Sequence, residues 1–138
     1  MAITRRSKQR DAIKSYLMST TAHPTAETVY ENLRKDFPNI SLGTIYRNLN
    51  FLVEHGEALR LDCGDGMEHF DGNPMPHNHF YCRGCHRIID LEMAQIDHIN
   101  IIAGAQFDGL IEDNVIYFRG LCKHCKTKDV YSKENVCN

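Results

Sequence analysis

The residues best suited to chemistry in this chain lie in one short segment, which reads HNHFYCRGCHRIID. His77 and His79 are two positions apart, so on an extended strand both imidazoles point to the same face. Cys82 and Cys85 form a C-x-x-C pair, in which Gly84 permits the tight turn that brings two sulfurs onto one ion. These residue types at this spacing predict two neighbouring metal sites, one with sulfur ligands and one with nitrogen and oxygen ligands.

A second C-x-x-C pair, Cys122 and Cys125, lies near the C-terminus. Two such pairs are a common way to hold Zn²⁺ through four thiolates in a closed, structural site. Residues 86–121 separate the pairs, which is longer than a compact zinc ribbon needs, so the ion must tie a β-hairpin to a distant part of the chain. We predict a structural Zn²⁺ bound by Cys82, Cys85, Cys122 and Cys125.

Two other interpretations of the cysteines stay open. A thiol-disulfide redox protein also uses C-x-x-C, although no strand–C-x-x-C–helix pattern surrounds either pair. The segment Cys82–His86 matches the C-x-x-C-H pattern of haem attachment, which goes with an export signal that the N-terminus does not contain. Cys63 and Cys137 have no C-x-x-C partner, and we interpret them as thiols without a role in these sites.

The nitrogen and oxygen ligands suggest a different metal. Asp90 lies on the strand expected to follow His77 and His79, so its carboxylate can reach the same region. A set of imidazoles and carboxylates without sulfur suits Fe²⁺ or Mn²⁺, with Zn²⁺ as a competitor. The residues alone do not identify the remaining ligands. Four further histidines are interpreted as structural or solvated: His55, His69, His98 and His124.

Length and composition limit the class of protein. The 138 residues form one domain or two small ones, and the 42% apolar content supports a packed core. The sequence has no apolar run of membrane-spanning length and no secretory signal, so we expect a cytoplasmic protein whose cysteines are reduced. No membrane partner is expected.

The charge is unevenly distributed along the chain. Residues 1–60 contain nine Lys and Arg against six Asp and Glu, or +3, whereas residues 61–138 contain seven against twelve, or −5. The first ten residues include Arg5, Arg6, Lys8 and Arg10 and no acid. Such a basic arm suits contact with nucleic-acid phosphates, although a merely solvated segment has the same composition.

The first half of the chain reads as three helices and a hairpin. Thr25 and Ser41 are candidate N-caps, Pro38 is expected to end the second helix, and Gly56 follows the third. An Asp-Gly pair at residues 65–66 predicts a hairpin turn. The expected helices and strands span residues 8–18, 26–37, 42–54, 57–61 and 67–70. Three helices followed by a hairpin predict a winged helix-turn-helix domain.

The third helix has two different faces. Ile45, Leu49, Leu52 and Val53 gather on the side expected to pack inward. The opposite side presents the hydroxyl, guanidinium, amide and aromatic groups that read base edges and thymine methyls. These candidate DNA-binding residues are Thr44, Tyr46, Arg47 and Asn50, with Arg5, Arg6 and Lys8 as phosphate contacts. A solvated helix face is the alternative.

The second half of the chain has a different residue pattern. Pro74 and Pro76 mark a hinge, which divides the chain into domains at residues 1–72 and 73–138. The apolar run at 115–118 is expected in a strand covered by a helix or a partner subunit. The elements expected after the hinge are strands at 77–81, 87–91, 110–111 and 115–121 and a helix at 94–107. The fold class is therefore α+β, with a small α/β dimerisation domain after the winged helix.

Several motifs in one order resemble the ferric-uptake-regulator family of metal-dependent repressors, over residues 5–128. They are AHPTAETVY (22–30), SLGTIYRNL (41–49), HFD (69–71), HNHFYCRGC (77–85), IIDL (88–91) and GLCKHC (120–125). Within that family the chain is most similar to the peroxide-sensing, PerR-like branch. The resemblance implies a regulatory Fe²⁺ or Mn²⁺ site made of His23, Asp71, His77, His79 and Asp90.

The resemblance also favours one branch over another. Iron-uptake sensors generally have Glu where this chain has Asp90, and many have a further site whose places here look like Pro76, Asn78, Asp97 and Asn114. An iron- or zinc-responsive uptake regulator is the alternative, and Cys63 near the predicted hairpin turn keeps the zinc-responsive branch open.

The peroxide-sensing branch implies a specific mechanism and not an enzyme. A homodimer would bind a palindromic double-stranded DNA operator while one ion clamps the two domains of each chain. Hydrogen peroxide would react with Fe²⁺ at the site and oxidise His23 or His77 to 2-oxo-histidine, and the repressor would leave DNA. Mn²⁺ would support DNA binding without the oxidation.

Overall fold

The computed structural model of the protein describes residues 4–96 and 98–132. The chain forms two compact units, Met1–Met75 and Pro76–Asn138. Asp97 and Cys137, which entered the sequence argument, lie outside the described residues. Along the part of the chain that the structure describes, no helix combines the length and the apolar content that crossing a membrane requires.

Three helices open the first unit, and local signals set two of their starts. They are α1 (Arg5–Ser19), α2 (Ala26–Leu33) and α3 (Leu42–Glu54). The side-chain oxygen of Thr25 accepts a hydrogen bond from the Thr28 amide, and that of Ser41 accepts one from the Thr44 amide at 3.1 Å. Both are N-caps as predicted, since each satisfies an amide that has no partner inside the first turn.

The second helix is shorter than predicted. It ends at Leu33 instead of continuing to residue 37, and the amide of Phe37 still donates to the Leu33 carbonyl at 2.9 Å through a turn. Pro38 disfavours a helical conformation for the residue before it, so the chain leaves the helix one turn early. Phe37 then packs against the core from the turn.

A β-hairpin completes the first unit. β1 (Leu59–Asp62) pairs antiparallel with β2 (Glu68–Asp71), so that Leu59 is opposite Asp71. Gly64 and Gly66 adopt φ values of +84° and +80° in the turn, a region that glycine enters without steric cost. The core beneath the hairpin joins fully buried side chains of all three helices and β2: Ile13, Leu17, Val29, Ile45, Leu49, Leu52 and Phe70.

The second unit is built on a three-stranded sheet. β3 (Asn78–Cys82) lies between β4 (Ile88–Leu91) and β5 (Tyr117–Gly120). β4 pairs with β3 antiparallel, and β5 pairs with it in parallel. Two helices complete the unit: α4 (Ile99–Gly104) and α5 (Lys123–Ser132).

Several predicted elements of this unit are wrong in length or kind. The helix expected over 94–107 covers only Ile99–Gly104, residues 110–111 are irregular, and the last strand is shorter than 115–121. His98 precedes α4 at the N-cap position without a side-chain capping hydrogen bond, and the side-chain amide of Gln95 donates to the Pro76 carbonyl at 3.0 Å from an irregular segment. Apolar periodicity overestimated this helix because Ile101 and Ile102 are 74% and 60% exposed, so little burial stabilises further helical turns. The helix α5 was not predicted.

Candidate metal centres and nucleic-acid face

The two C-x-x-C pairs come together at one end of the sheet. The parallel register places Cys82 beside Gly120, so Cys122 follows only two residues after the point of pairing. Cys85 lies in the turn after β3, and Cys125 lies in the first turn of α5. The four sulfurs of Cys82, Cys85, Cys122 and Cys125 all lie within 4.8 Å of one another.

Backbone amides polarise this cluster. The sulfur of Cys82 accepts the amides of Cys85 at 3.5 Å and Cys122 at 3.3 Å. Burial opposes ionisation of this thiol, but these hydrogen bonds outweigh it and lower the pKa of Cys82 to about 6. Burial and the neighbouring sulfurs raise the pKa of Cys125 to about 12. All four sulfurs can therefore become thiolates together only around a cation.

Zinc fits the geometry and the donor type. Tetrahedral Zn²⁺ with bonds of about 2.3 Å to sulfur requires ligand sulfurs about 3.8 Å apart. The sulfurs of Cys85 and Cys122 are 3.9 Å apart. Cys82, Cys122 and Cys125 are buried against Phe80, Ile89 and Leu121, whereas Cys85 is exposed in the turn after β3. The described geometry thus matches a four-thiolate structural site with one ligand at the surface.

A basic residue that the sequence argument missed flanks the sulfurs. Hydrogen bonds to the sulfurs of Cys85 and Cys122 raise the pKa of the Arg87 guanidinium. A cation at this position offsets part of the negative charge of four thiolates. No spacing signal in the sequence distinguishes Arg87 from other surface arginines, because its role depends on the antiparallel return of β4.

In the first unit, His23 and Asp71 form a buried pair. His23 precedes α2, and Asp71 ends β2. Both residues are buried, with exposed fractions of 2% and 6%. The Nε2 atom of His23 lies 3.2 Å from Oδ2 of Asp71. Oδ1 of Asp71 accepts the Asn73 amide at 2.9 Å, which fixes the orientation of the carboxylate.

In the second unit, two imidazoles converge on one carboxylate oxygen. The Nε2 atoms of His77 and His79 lie 3.0 Å and 3.3 Å from Oδ1 of Asp90. The antiparallel register places His79 directly opposite Asp90, and the two imidazole rings have centroids 4.3 Å apart. Three donor atoms from adjacent strands therefore face one small volume.

The donor types in both units fit a first-row divalent metal. Each unit offers only imidazole nitrogen and carboxylate oxygen, the ligands that suit Fe²⁺, Mn²⁺ and Zn²⁺. The first unit offers two donor atoms and the second offers three. Octahedral Fe²⁺ or Mn²⁺ uses six ligand atoms, so neither unit completes the coordination of the ion. Cys63, which is 1% exposed, belongs to neither donor set described here.

The candidate DNA-reading residues lie on the exposed side of α3. Arg47 and Asn50 are exposed, and Thr44 and Tyr46 are half-buried. Arg47 donates to the Thr44 hydroxyl at 3.0 Å, and Asn50 accepts a hydrogen bond from Arg60 on β1. The Tyr46 hydroxyl donates to a carboxylate of α2 at 3.0 Å. These hydrogen bonds orient the polar groups without burying them.

The basic residues near the N-terminus belong to α1 and not to an arm before it. Arg5, Arg6 and Lys8 are exposed on the first turns of that helix. Arg5 and Arg6 line a groove of about 420 Å³ between α1 and α3, and Arg47 lines its other side. With Arg10, four guanidinium groups surround this groove and create a positive surface of the kind that binds phosphate.

Two residues of this groove, Arg10 and Asn48, were not among the predicted DNA contacts. Arg10 places its guanidinium 3.5 Å from the centre of the Phe51 ring and donates to Asn48 Oδ1 at 3.1 Å. Asn48 is 4% exposed and also donates to the Thr44 carbonyl at 3.0 Å. The sequence pattern assigned Asn48 to neither face of α3. A polar residue beside an apolar face is nevertheless a recognisable signal for an interhelical hydrogen bond.

Comparisons with known proteins agree with this arrangement. The model described as the ferric uptake regulator family matches residues 2–108. The peroxide-responsive repressor PerR of Staphylococcus aureus (strain USA300) is 38% identical over 120 residues, which cover 87% of this chain and 81% of that protein.

Solved structures give the same result for the fold. The Campylobacter jejuni peroxide stress regulator superimposes with a TM-score of 0.72 at 26% identity, covering 88% of this chain and 91% of that one. The Helicobacter pylori ferric uptake regulator Fur superimposes with a TM-score of 0.73 at 23% identity, covering 87% and 81%. The predicted α+β fold, with a winged-helix DNA-binding domain followed by a small dimerisation domain, is confirmed. The chain belongs to the ferric uptake regulator family, whose members are metal-responsive, DNA-binding regulators of transcription that form dimers and are not enzymes.

Proposed function

We propose that this protein is a metal-dependent repressor that senses hydrogen peroxide through oxidation of its own ligand histidines. The convergence of His77 and His79 on one oxygen of Asp90, with no sulfur nearby in that donor set, is the observation that carries the proposal. The 38% identity to a peroxide-responsive repressor supports the choice of signal. Asp at position 90, where iron-uptake sensors generally have Glu, supports the same branch.

We further propose that one ion is shared by both donor sets. His23 and Asp71 would supply two ligands, and His77, His79 and Asp90 would supply three. The chemistry of the donors supports this, because neither set alone completes the coordination of Fe²⁺ or Mn²⁺. Five protein ligands leave one position of an octahedron for peroxide. Such an ion would fix the angle between the DNA-binding unit and the dimerisation unit.

Bound Fe²⁺ would supply the electron that breaks the O–O bond of peroxide, whereas Mn²⁺ in the same site would not. The chain supplies the groups that are oxidised. The imidazoles of His23 and His77 would each be able to take up one oxygen atom at the ring carbon between the nitrogens. The net change is the conversion of one imidazole and one H₂O₂ to 2-oxo-histidine and water. An oxidised ligand no longer binds well, and the repressor would release DNA.

DNA recognition would use α3 and the groove beside it. Thr44, Tyr46, Arg47 and Asn50 would read base edges in the major groove. The arginines of α1, together with Lys8, would contact phosphates. We propose that a homodimer places two copies of α3 on a palindromic operator. Repression of this kind is carried out in the cytoplasm, which is where we place the protein.

Exposed apolar residues of the second unit support its role in dimerisation. Ile101, Leu110 and Val115 are 74%, 81% and 75% exposed. Large apolar side chains left exposed in one segment of the chain are typical of a protein interface. The four-cysteine site would hold a structural Zn²⁺ that ties the end of β3 to the chain after β5. Because structural zinc contributes folding free energy directly, it would stabilise the dimer.

Two ligand variants test the proposed function. His23→Ala removes a ligand of the first unit and should abolish most of the Mn²⁺-dependent operator binding. Asp90→Glu keeps the number of ligands, so it should retain Mn²⁺-dependent binding, but its longer side chain alters the geometry at the open position and should blunt the response of the Fe²⁺ form to peroxide. Fluorescence anisotropy with an operator selected from random DNA by the Mn²⁺ form measures both effects.

The results separate the peroxide sensor from an iron- or zinc-responsive regulator. Wild-type protein that binds its operator with Fe²⁺ and keeps that affinity after peroxide would be a metal sensor only. His23→Ala with wild-type Mn²⁺-dependent binding would contradict the shared site. As a matched control, His55→Ala removes an exposed imidazole of the same unit that belongs to neither donor set, and it should keep the metal response.

A further inference from the structure

His69 and Asp65 form a hydrogen-bonded chain between the hairpin turn and His23. The Nδ1 atom of His69 lies 2.9 Å from the His23 carbonyl oxygen. The Nε2 atom of His69 lies 2.7 Å from Oδ2 of Asp65, and Oδ1 of Asp65 accepts the Met67 amide at 3.1 Å. The carbonyl oxygen of His23 and the carboxylate of Asp65 are both acceptors, so each ring nitrogen of His69 faces a hydrogen-bond acceptor.

This chain is buried although its members lie near a surface turn. His69 is 6% exposed, and the side chain of Asp65 is 7% exposed. Burial opposes ionisation of Asp65, but the hydrogen bonds from His69 and the Met67 amide outweigh it and lower the pKa of this carboxyl. A hydrogen bond to an ionised acceptor in a buried position is stronger than a neutral one. The turn is therefore firmly connected to the ring of His69.

The backbone at His23 needs such support. His23 has a φ of +51°, a left-handed conformation that is uncommon for a residue with a side chain. Three consecutive residues of β2 hold it there. His69 binds the His23 carbonyl, the Phe70 amide donates to the Pro24 carbonyl at 2.9 Å, and Asp71 faces the His23 imidazole.

We propose that His69 is a positioning residue that holds His23 in its ligand conformation and, through Asp65, couples metal occupancy of His23 to the turn at residues 63–67. The inference rests on the proposed function, because it takes His23 to be a ligand of the regulatory metal. His69 does not itself bind the ion in this arrangement, since both of its ring nitrogens are already engaged. Groups that orient a metal ligand in this way control how tightly the ion binds.

The test compares binding of Mn²⁺ with stability of the fold. His69→Phe keeps a buried ring of similar size but removes both hydrogen bonds. We expect it to weaken Mn²⁺ binding by about 10- to 100-fold, the range for loss of a group that orients a ligand side chain, because the backbone that carries the His23 ring would no longer be held. Electron paramagnetic resonance of free Mn²⁺ measures the affinity on protein that retains one Zn²⁺ per chain. Operator binding should return when Mn²⁺ is raised to saturation.

Hydrogen exchange provides the readout that a purely structural role would not change. Mn²⁺ should slow amide exchange of residues 63–67 in the wild type but not in His69→Phe. Asp65→Ala should also weaken Mn²⁺ binding and reduce the slowing of amide exchange by Mn²⁺. It tests the proposal in place of His69→Phe if that variant does not fold. Asp62→Ala is the matched control, because Asp62 accepts the Gly64 amide at 3.0 Å beside the same turn, whereas the two ring nitrogens of His69 face the His23 carbonyl and Asp65.

The outcomes distinguish this inference from the proposed function. If His23→Ala weakens Mn²⁺ binding while His69→Phe and Asp65→Ala bind as the wild type does, the positioning role is wrong and the ligand set stands. If His23→Ala binds Mn²⁺ as tightly as the wild type, the ligand set is wrong and this inference is overturned with it. A loss in Asp62→Ala equal to that in Asp65→Ala would also overturn it, since the turn alone would then explain the effect.

Discussion

A single methyl group added at Gly84 tests the packing of the four-cysteine site. A Cβ atom at this position would lie 2.8 Å from the sulfur of Cys125, 2.9 Å from its Cβ and 3.3 Å from Cδ2 of Leu121. Carbon contacts are most favourable at about 3.5–4.0 Å, so the turn at residues 82–85 and Cys125 must move apart by roughly 1 Å. Gly84→Ala therefore acts directly on one proposed ligand without removing any sulfur.

The expected loss follows from how little movement a metal site tolerates. Ligand distances in such sites are kept within about 0.2 Å, several times less than the required shift. Forcing extra volume into a packed region typically costs about 1–3 kcal/mol. If this cost falls on the metal-bound state, zinc affinity should fall by roughly 5- to 150-fold. The dimer should also become less stable, because structural zinc contributes to folding.

Competition with a chromophoric zinc chelator measures the change. Gly120→Ala is the matched control in the same sheet, since its Cβ would meet the Phe80 ring at 3.5 Å and 3.6 Å, an ordinary contact distance. We expect wild-type zinc affinity for this control. Equal zinc affinity in Gly84→Ala and wild type would refute the argument that Cys125 packs against Gly84 as a ligand.

Four other substitutions give separable results. Gly72→Ala would place a Cβ 2.6 Å from the Leu17 carbonyl carbon, a backbone atom that cannot rotate away. The free energy of unfolding, measured by thermal denaturation, should therefore fall by about 1–3 kcal/mol. An unchanged melting temperature would contradict this. Arg47→Ala should weaken the free energy of binding to the operator by about 1–3 kcal/mol and relax base specificity. Arg6→Ala should instead weaken binding to all DNA and flatten its salt dependence. Equal losses on operator and random DNA for Arg47→Ala would argue against base reading. Cys122→Ser should lose one Zn²⁺ per chain and weaken the dimer, as measured by elemental analysis and sedimentation, and a stable zinc-free dimer would exclude a structural zinc.

Much of the first unit was predictable because local signals there agree with the packing. Ser41 and Thr25 cap helices at the expected positions, and the apolar spacing of Ile45, Leu49 and Leu52 matches a buried face. The Asp-Gly pair marks the hairpin turn. Pattern and tertiary structure favour the same conformation at each of these points.

The second unit was harder to predict because its apolar residues do not all pack within one chain. Ile101 and Ile102 give a helical pattern that extends beyond α4, yet they are exposed. The pattern at 115–118 likewise predicted a longer strand than Tyr117–Gly120. Residues that face a partner subunit have the periodicity of a core without the contacts that would fix a single chain's elements.

Candidate site residues were easiest to find where spacing alone groups them. The cysteine pairs are visible as C-x-x-C, and His77 and His79 share a strand face. Long-range supporting residues have no such signal: Arg87, Asn48 and His69 each depend on a partner distant in sequence. His69 was interpreted as structural or solvated, and its hydrogen bonds to Asp65 and His23 became visible only from the fold.

The central claim is that the chain's own histidines record the peroxide signal. Protein loaded with Fe²⁺ under anaerobic conditions receives one small dose of hydrogen peroxide, and operator binding and the mass of each His-containing peptide are measured on the same sample. We predict that operator binding is lost together with the gain of one oxygen atom on the peptide containing His23 or His77, and that the Mn²⁺ form shows neither change. Loss of binding with all histidines unmodified, or full binding after the dose, would contradict the claim.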